Sequence, residues 1–148
     1  MASTYLSLHY HLVFSTKNRL PFIAPEWSGR LHEYMGGTIR GLGGTAEAIG
    51  GVEDHVHALV ELRATHCLAD FVRELKKATS VFVHEEVGTR KFAWQEGYAA
   101  FTVSATALEA VRHYIREQPE HHRKRDYLTE LREMLERAGV KYDVRFLR

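Results

Sequence analysis

The sequence predicts an α+β domain in which a ferredoxin-like antiparallel sheet carries two crossing helices and is followed by two more helices. The first observation is the order of the elements, β–α–β–β–α–β–α–α, which places two strand–helix–strand units around a central hairpin. The second is the length: 148 residues fit one domain over residues 1–148, since domains commonly hold roughly 100–200 residues. The third is the composition, because 45% apolar and 26% charged residues are typical of a globular chain.

The first strand and the first helix differ in their periodicity. Apolar and polar residues alternate over Leu6–Phe14, which predicts a strand with one buried face. The apolar face holds Leu6, Leu8, Tyr10, Leu12 and Phe14, and the other face holds Ser7, His9 and His11. Apolar residues then recur at helical spacing from Pro25 to about Leu42, and proline is favoured at the first position of a helix. We therefore expect a helix over those residues.

Glycine is concentrated in one stretch, since seven of the eleven glycines fall between residues 36 and 51. Neither the P-loop pattern nor a GxGxxG pattern after a strand is present. The glycines therefore predict turns on both sides of a short strand, Thr45–Ile49, rather than a loop that binds phosphate. The second strand of this hairpin is predicted over Val56–Leu62.

Four further elements are predicted towards the carboxyl end. They are a helix over residues 68–87, a strand over Trp94–Val103, a helix over Ala107–Gln118 and a charged helix over about Arg123–Arg137. We expect the helix before Pro119 to stop there, because proline has no amide hydrogen and disfavours helical geometry in the residue before it. Gly139 closes the last helix.

Charge and cysteine content exclude several classes of protein. A net charge of +1 does not fit a uniformly basic nucleic-acid coat, although it leaves room for a local basic groove. The single cysteine, Cys67, excludes an internal disulfide framework and a multi-cysteine metal site, and nothing near it in sequence activates a thiol. Because no apolar run approaches 18 residues and no signal pattern opens the chain, we expect a cytoplasmic protein without a membrane segment.

Two histidine pairs of the form His-x-His stand on predicted strands. At His55 and His57 the imidazoles point to the same side, about 6.6–6.8 Å apart along the backbone, and could converge on one metal ion. The pattern is not specific, since ten histidines in this length produce about 0.7 such pairs by chance, and residues 9–11 hold a second pair. Either pair could instead decorate an exposed face of the sheet.

Tyr114 and Gln118 lie four residues apart on the predicted helix over Ala107–Gln118, and therefore on neighbouring spots of one face. A boundary tyrosine with its hydroxyl in water is the simpler interpretation. Two imidazoles, an amide oxygen and a phenol nevertheless form a coherent set, because mixed nitrogen and oxygen ligands suit Mg2+ or Mn2+. A phenol with a pKa near 10 is only about a thousandth ionised at neutral pH. Its reaction partner needs activation, which a metal that polarises a phosphodiester provides.

The sequence resembles the single-tyrosine HUH transposases of bacterial insertion sequences over nearly its whole length. This TnpA-like group has relatives among the REP-associated tyrosine transposases. Five blocks occur in the order of the family: YHLVFSTKNR at 10–19, EDHVHALVEL at 53–62, LKKATS at 75–80, FAWQEGYAAFTVS at 92–104 and HYIREQPEHH at 113–122. Agreement over five blocks removes most of the force of the chance argument against a single His-x-His pair.

The resemblance implies a DNA transposase with a metal-dependent active site. It identifies His55 and His57 as metal ligands, Gln118 as the third ligand, Tyr114 as the nucleophile and His11 as a residue that lines the site. The implied reaction is the cleavage and rejoining of single-stranded DNA at insertion-sequence ends with Mg2+ or Mn2+, through a covalent 5′-phosphotyrosine bond and a free 3′-OH. Tyr114 is the only tyrosine on its predicted helix, which argues against the two-tyrosine replication initiators.

The resemblance also implies partners. Members of the family are homodimers that recognise DNA hairpins, and the tyrosine helix of one chain often completes the metal site of the other. The residues expected to contact DNA are His11, Lys17, Arg19, Lys76 and Arg116. The pair at residues 121–122 favours a surface or DNA-facing role, because adjacent histidines that leave a helix diverge.

Two alternatives stay open. A domesticated relative that processes chromosomal repeat hairpins would use identical chemistry. A non-catalytic nucleic-acid-binding module would use the sheet order of RNA-recognition motifs, whose stacking aromatic residues lie on the two inner strands. Here the central hairpin strand carries His55 and His57 instead, and the RNP pattern of those motifs is missing.

Overall fold

The computed structural model describes residues 3–147 and confirms the predicted α+β fold. Its four-stranded antiparallel sheet is formed by β1 (His9–Ser15), β2 (Thr45–Val52), β3 (His55–Glu61) and β4 (Ala99–Val103). The spatial order is β2-β3-β1-β4, so β1 and β3 are the central strands. This is the order expected from two strand–helix–strand units around a central hairpin.

Within the described residues, five helices surround the sheet: α1 (Pro25–Gly41), α2 (Leu68–Phe82), α3 (Leu108–Arg116), α4 (Gln118–His121) and α5 (Tyr127–Arg137). α1 connects β1 to β2, and α2 connects β3 to β4. Single 3-10 turns lie at Lys17–Arg19, Ala105–Ala107 and Val144–Phe146, and a π turn at Val83–Val87 extends α2. No helix between residues 3 and 147 has the length and apolar character that crossing a membrane requires.

Two strands are shorter than predicted. β1 begins at His9 rather than Leu6, because Leu6 is 53% exposed and its apolar character does not mark a buried face. β4 begins at Ala99 rather than Trp94. The chain at Trp94 makes only an isolated bridge to the residue after β1, and it turns at Gly97, whose φ is +81°. A turn at that point ends any continuous pairing.

The helix predicted over Ala107–Gln118 is interrupted. Its first part, α3, ends before Glu117, which has φ −92° and ψ 17°, and Gln118 opens the short helix α4. Pro119 is the cause, because it has no amide hydrogen for the carbonyl oxygen of Ile115 four residues earlier. The proline therefore lies in the first turn of α4 and does not stand just after the helix as predicted.

The two faces of the sheet carry different side chains, since alternate residues of a strand point to opposite sides. The residues of the central strands that form the main core with α1 and α2 are Leu12, Phe14, Val56, Ala58 and Val60. The residues between them face the carboxyl-terminal helices: His9, His11, Val13, His55, His57 and Leu59. All of these are buried, so the prediction of one buried face for β1 is wrong, and neither histidine pair decorates an exposed face. α3, α4 and α5 cover the second face.

The close packing of α3 on β2 depends on Gly50. β2 continues to Val52 rather than ending at Ile49, so this glycine lies inside the strand. A Cβ atom on Gly50 would lie 2.3 Å from the carbonyl oxygen of Ile115 and 3.0 Å from the Cγ2 atom of the same residue. Only a residue without a side chain allows the strand and the end of α3 to approach so closely.

Replacing Gly50 with alanine should push α3 away from β2 and lower the free energy of unfolding by about 1–3 kcal/mol, the usual cost of overpacking. Gly29 in α1 is the matched control, because nothing lies within 4 Å of a Cβ atom there. Gly29→Ala should raise the free energy of unfolding by about 0.5–1 kcal/mol. Chemical denaturation measures both changes. A Gly50→Ala protein as stable as the wild type would contradict the close contact between α3 and β2.

Candidate active site

β3 places His55 and His57 between the sheet and the carboxyl-terminal helices. Both side chains are fully buried, and the centroids of their rings lie 5.0 Å apart. The two rings converge because residues i and i+2 of a strand point to the same side. The result is a pair of imidazoles that face α4 and α5 rather than water.

Tyr114 and Gln118 reach the same space from α3 and α4. Gln118 is fully buried, and its Oε1 atom lies 3.0 Å from Nε2 of His55. The ring of Tyr114 is partly buried, and its centroid lies 5.9 Å from that of His57. Although the helix is interrupted between them, both residues meet the histidine pair within one chain.

The Nδ1 atom of each histidine has its own partner. Nδ1 of His55 lies 2.7 Å from Oδ1 of Asp54, and Nδ1 of His57 lies 2.7 Å from Nε2 of His11. Nδ1–H of His55 donates to Asp54, whereas Nδ1 of the neutral His57 accepts a hydrogen bond from Nε2–H of His11, so Nε2 of both rings faces the centre of the site. Asp54 and His11 therefore orient the two rings. The Nε2 atom of His11 is the atom that contacts Nδ1 of His57.

Burial and hydrogen bonding set the charges of these histidines. Burial lowers the pKa of His11 to about 3 and the pKa of His57 to about 4, so both rings are neutral near pH 7. Burial acts in the same direction on His55, but hydrogen bonds to acidic and amide side chains, first of all to Asp54, outweigh it and raise the pKa of His55 to about 9. A metal ion that binds Nε2 of His55 must displace the proton held there.

Glu130, which belongs to none of the sequence motifs, lies at the centre of the cluster. Its side chain comes from α5 and is fully buried. Oε1 lies 3.1 Å from Nε2 of His57 and 3.4 Å from Nε2 of His55. Oε2 accepts one hydrogen bond from the amide group of Gln118 at 2.9 Å and another from the hydroxyl group of Tyr114. One carboxylate thus joins four residues that the sequence had selected separately.

The ionisation of Glu130 depends on the imidazoles around it. Burial raises the pKa of this carboxyl group, but hydrogen bonds from His122, His55 and His57 outweigh burial and hold the pKa well below its usual range. Burial, together with the neighbouring carboxylate, raises the pKa of Tyr114 above its ordinary value. Near neutral pH the site therefore contains an anionic Glu130 and a neutral phenol.

A weak signal for Glu130 was present in the sequence. The residue falls at helical spacing with Tyr127, Leu131 and Met134, which pack in the apolar cluster between α5 and the sheet. A carboxylate within such an apolar stripe is unusual, because Glu is seldom fully buried unless it is paired. Nothing in the sequence, however, says which groups lie opposite it.

The histidine pair at residues 121–122 also contacts residues of the site. Nε2 of His122 lies 3.1 Å from Oε1 of Glu130, and the ring centroid of His122 lies 4.4 Å from that of His55. The ring of His121 stacks on that of Tyr114, with 4.5 Å between the centroids. The side chains do diverge as expected. The segment from α4 to α5 runs along the edge of the site, where both rings are partly buried, and a DNA-facing role stays a prediction.

The first His-x-His pair is divided between two places. His11 lies beside His57, as described above. His9 lies at the other end of β1, where its Nδ1 is 3.0 Å from Oε2 of Glu47 and its Nε2 is 3.6 Å from Oε2 of Glu61. One ligand atom from each of His9, Glu47 and Glu61 lies within 4.8 Å of the other two, so these residues form a second group that could hold a metal ion.

The donor atoms around His55 could hold a divalent ion, since ligand atoms of His55, His122 and Glu130 lie within 4.8 Å of one another. Neighbouring donors are separated by 3.0 Å from His55 Nε2 to Gln118 Oε1 and by 3.1 Å from His57 Nε2 to Glu130 Oε1. An ion about 2.1 Å from its ligands spaces neighbouring ligand atoms by about 3.0 Å in an octahedron and about 3.4 Å in a tetrahedron. The imidazole nitrogens and the amide oxygen are the mixed set expected from the sequence for Mg2+ or Mn2+, and the carboxylate of Glu130 adds a ligand type that the sequence did not predict.

The residues expected to contact DNA have different surroundings. Lys17 and Arg116 are exposed, Arg19 is partly exposed and His11 is buried. Lys76 lies on α2, on the other side of the sheet, where its Nζ atom donates to two backbone carbonyl oxygens of the loop before β4 at 2.6 and 2.8 Å. The structure therefore gives Lys76 a contact within the protein. Contact with DNA stays a prediction for all five residues, Lys76 included.

A groove of about 390 Å³ leads from the surface to Tyr114. It runs between β4, α3 and α5, and its lining includes Phe101, Arg125 and Met134. The guanidinium group of Arg125 donates a hydrogen bond to the hydroxyl oxygen of Tyr114 at 3.2 Å. An aromatic ring and a guanidinium group beside the tyrosine hydroxyl are suited to an unstacked nucleotide and its phosphate.

The known proteins that resemble this chain in sequence or in fold are described as transposases. The family model described as "Transposase IS200 like" matches residues 4–118. A crystal structure from Deinococcus radiodurans R1, provisionally assigned as a transposase, has a TM-score of 0.63 at 24% identity and covers 80% of this chain and 96% of that one. A REP-associated tyrosine transposase bound to a REP hairpin has a TM-score of 0.60 at 16% identity and covers 82% and 74%. No curated protein sequence matches the chain. At these identities the two structures support the fold.

A side-chain cap holds the start of α5, and with it Glu130. Oδ1 of Asp126 accepts a hydrogen bond from the backbone amide of Thr129 at 2.9 Å. α5 therefore begins at Tyr127 rather than near Arg123, because the cap residue itself is extended. The same amide holds the pKa of Asp126 below its ordinary value.

Replacing Asp126 with alanine should lower the free energy of unfolding by about 1 kcal/mol, because the first turn of α5 loses its cap. Asp126→Asn keeps an acceptor oxygen and should cost less. Since the folded pKa of Asp126 is depressed, the difference between wild type and the alanine variant is present near neutral pH and is lost as the pH falls through that pKa. Urea denaturation at several pH values measures this. Equal stability of the alanine variant at neutral pH would contradict the cap.

Proposed function

The chain belongs to the family of IS200-like transposases, and we propose that it cleaves and rejoins single-stranded DNA at insertion-sequence ends through a covalent 5′-phosphotyrosine intermediate. The observation that carries the proposal is the convergence of a phenol, two imidazoles and a carboxamide in one buried cluster. In this proposal Tyr114 is the nucleophile, and His55, His57 and Gln118 are metal ligands.

The proposed reaction conserves the number of phosphoester bonds. The oxygen of Tyr114 attacks the phosphorus atom and the bond to the 3′ oxygen breaks, so the 5′ phosphate stays on the tyrosine. The phenol loses its proton, and the 3′ oxygen takes one from solvent to become a free 3′-OH. Attack of a 3′-OH on the phosphotyrosine reverses these steps and rejoins DNA without an external energy source.

The surroundings of Tyr114 define what else the reaction needs. Its pKa is raised, so the phenol is a weak nucleophile at neutral pH unless the phosphate is activated. A divalent ion, Mg2+ or Mn2+, would supply Lewis acidity that polarises a phosphate oxygen. Asp54 and His11 keep the two imidazoles oriented towards that position. Arg125 is placed to pair with the phosphate beside the tyrosine.

The proposed substrate is single-stranded DNA that carries a hairpin. The groove along α3 and α5 ends at the partly buried hydroxyl of Tyr114 and offers Phe101 and Arg125 for contacts with an unstacked nucleotide. The exposed basic residues Lys17 and Arg116 are expected to contact the DNA backbone. We propose a homodimer as the active form, in line with the family resemblance.

A second candidate function is the processing of chromosomal repeat hairpins by a domesticated relative. The similarity in fold to a REP-associated tyrosine transposase that was solved with a REP hairpin favours it. The chemistry at Tyr114 would be the same and the DNA would differ. Cleavage assays with hairpin oligonucleotides from element ends and from chromosomal repeats distinguish the two, because each function predicts a preference for its own hairpin.

Tyr114→Phe should abolish the covalent attachment of DNA, because phenylalanine has no oxygen to attack the phosphorus atom. The measurement is incubation of the protein with single-stranded element-end oligonucleotides and Mn2+, followed by a denaturing gel and mass spectrometry of the adduct. The control is Tyr127→Phe, a buried tyrosine whose ring centroid lies 4.7 Å from that of His55, and it should keep the adduct.

An adduct that persists in the Tyr114→Phe protein would reject this tyrosine as the nucleophile. A wild-type protein that binds the hairpin but forms no adduct in Mg2+ or Mn2+ would favour the non-catalytic nucleic-acid-binding module instead. The gel therefore separates the catalytic proposal from its main alternative in one experiment.

A mixture of the inactive variants Tyr114→Phe and His57→Ala should remain inactive if each site is built from one chain, as in this structure. Within a cis dimer every site lacks either the phenol or a metal ligand. If the tyrosine helix were exchanged between chains, a mixed dimer would contain one complete site. The measurement is the yield of adduct after co-refolding the two variants, and recovered cleavage would show exchange.

A further inference from the structure

Glu130 contacts the four side chains that the proposed function assigns as nucleophile and metal ligands, which are Tyr114, His55, His57 and Gln118. Its two oxygens divide these contacts, since Oε1 faces the imidazole nitrogens and Oε2 faces the amide of Gln118 and the hydroxyl of Tyr114. α5, the helix that carries it, lies outside the segment that the transposase family model matches. The position of Glu130 therefore calls for its own explanation.

The basic groups that contact the carboxylate of Glu130 are all imidazoles. Among residues 3–147 they belong to His55, His57 and His122, and none of the ion-pair contacts of Glu130 is with lysine or arginine. A fully buried carboxylate is costly unless charge and hydrogen bonds compensate it. Rings that are also good metal ligands surround this one, and a cation can replace their protons.

The distances around Oε1 match those between neighbouring ligands of one ion. Oε1 lies 3.1 Å from Nε2 of His57, 3.1 Å from Nε2 of His122 and 3.4 Å from Nε2 of His55. These values span the range of about 3.0–3.4 Å that donors about 2.1 Å from a shared ion would show. His55, His122 and Glu130 each offer a ligand atom within 4.8 Å of the others.

We propose that Glu130 is the anionic ligand of the metal site, bound through Oε1 beside His55, His57 and Gln118. The inference rests on the proposed function for the presence of an ion. Two neutral imidazoles and an amide leave the charge of a divalent ion uncompensated, and one carboxylate halves it. A carboxylate oxygen is also the ligand that Mg2+ and Mn2+ prefer. Oε2 meanwhile holds the hydroxyl of Tyr114 next to the ion.

The test measures Mn2+ binding to the full-length protein in the absence of DNA, by calorimetry or by the electron paramagnetic resonance signal of free Mn2+. Glu130→Gln keeps the shape of the side chain and removes its charge, and it should weaken Mn2+ binding at least tenfold. Glu136→Gln makes the same substitution at an exposed position of the same helix and should leave the affinity within about twofold of the wild type. His57→Ala should lose binding.

Glu130→Gln with unchanged affinity would overturn the proposal and leave Glu130 as a partner of the histidines only. Tighter binding, especially with faster cleavage, would also overturn it, because the carboxylate would then occupy the place of the ion. A wild-type protein that binds no Mn2+ would also contradict the proposal. If the wild type binds Mn2+ through Glu130 but forms no DNA adduct, the proposed function fails and this inference stands.

A second measurement needs no variant and covers the case in which Glu130→Gln does not fold. Because Glu130 would tie α5 to β3 through the ion, Mn2+ should slow amide hydrogen exchange in Tyr127–Arg137. α1, which lies on the other side of the sheet, is the internal control and should not change. Equal exchange in α5 with and without Mn2+ would contradict a ligand on that helix.

Discussion

The carboxyl-terminal half of the fold depends on one constraint: the histidines on the second face of the sheet are buried, and their ring nitrogens need partners. An apolar residue in their place would need only to be covered. The turn before β3 supplies Asp54 and β1 supplies His11, but the partners of the Nε2 atoms must come from elsewhere in the chain. Gln118 on α4 and Glu130 on α5 provide them, and this fixes how both helices lie on the sheet.

Two residues far apart in sequence make that docking sterically possible. Pro119 deprives the carbonyl oxygen of Ile115 of its usual helical partner, so the backbone turns there and Gln118 starts a new helix. The same carbonyl oxygen lies against Gly50 of β2, where a Cβ atom would be only 2.3 Å away. Gly50 leaves room for the carbonyl oxygen of Ile115, and Pro119 leaves that oxygen without a helical hydrogen bond. The close contact between the two segments places Gln118 next to His55.

Local patterns in the sequence predict the order of the elements. They also predict that His55 and His57 share a face of the sheet and that Tyr114 and Gln118 lie close together. Each of these features depends on residues two to four positions apart. They do not predict that both faces of β1 are buried, because that depends on helices about 100 residues later. Glu130 was missed for the same reason: its spacing marks an unusual buried charge, but its partners lie on β3 and before α5.

Stability alone gives little reason for a carboxylate at position 130. Replacing a buried ionic cluster by well-packed apolar groups is often neutral or stabilising, whereas removing one partner is costly. On the proposal that Glu130 binds the ion, the cluster has a different role. The docking of α5 and the binding of metal then become linked equilibria, so each strengthens the other by the same free energy. The helix that covers Tyr114 is consequently most firmly docked when the ion that activates the phosphate is bound.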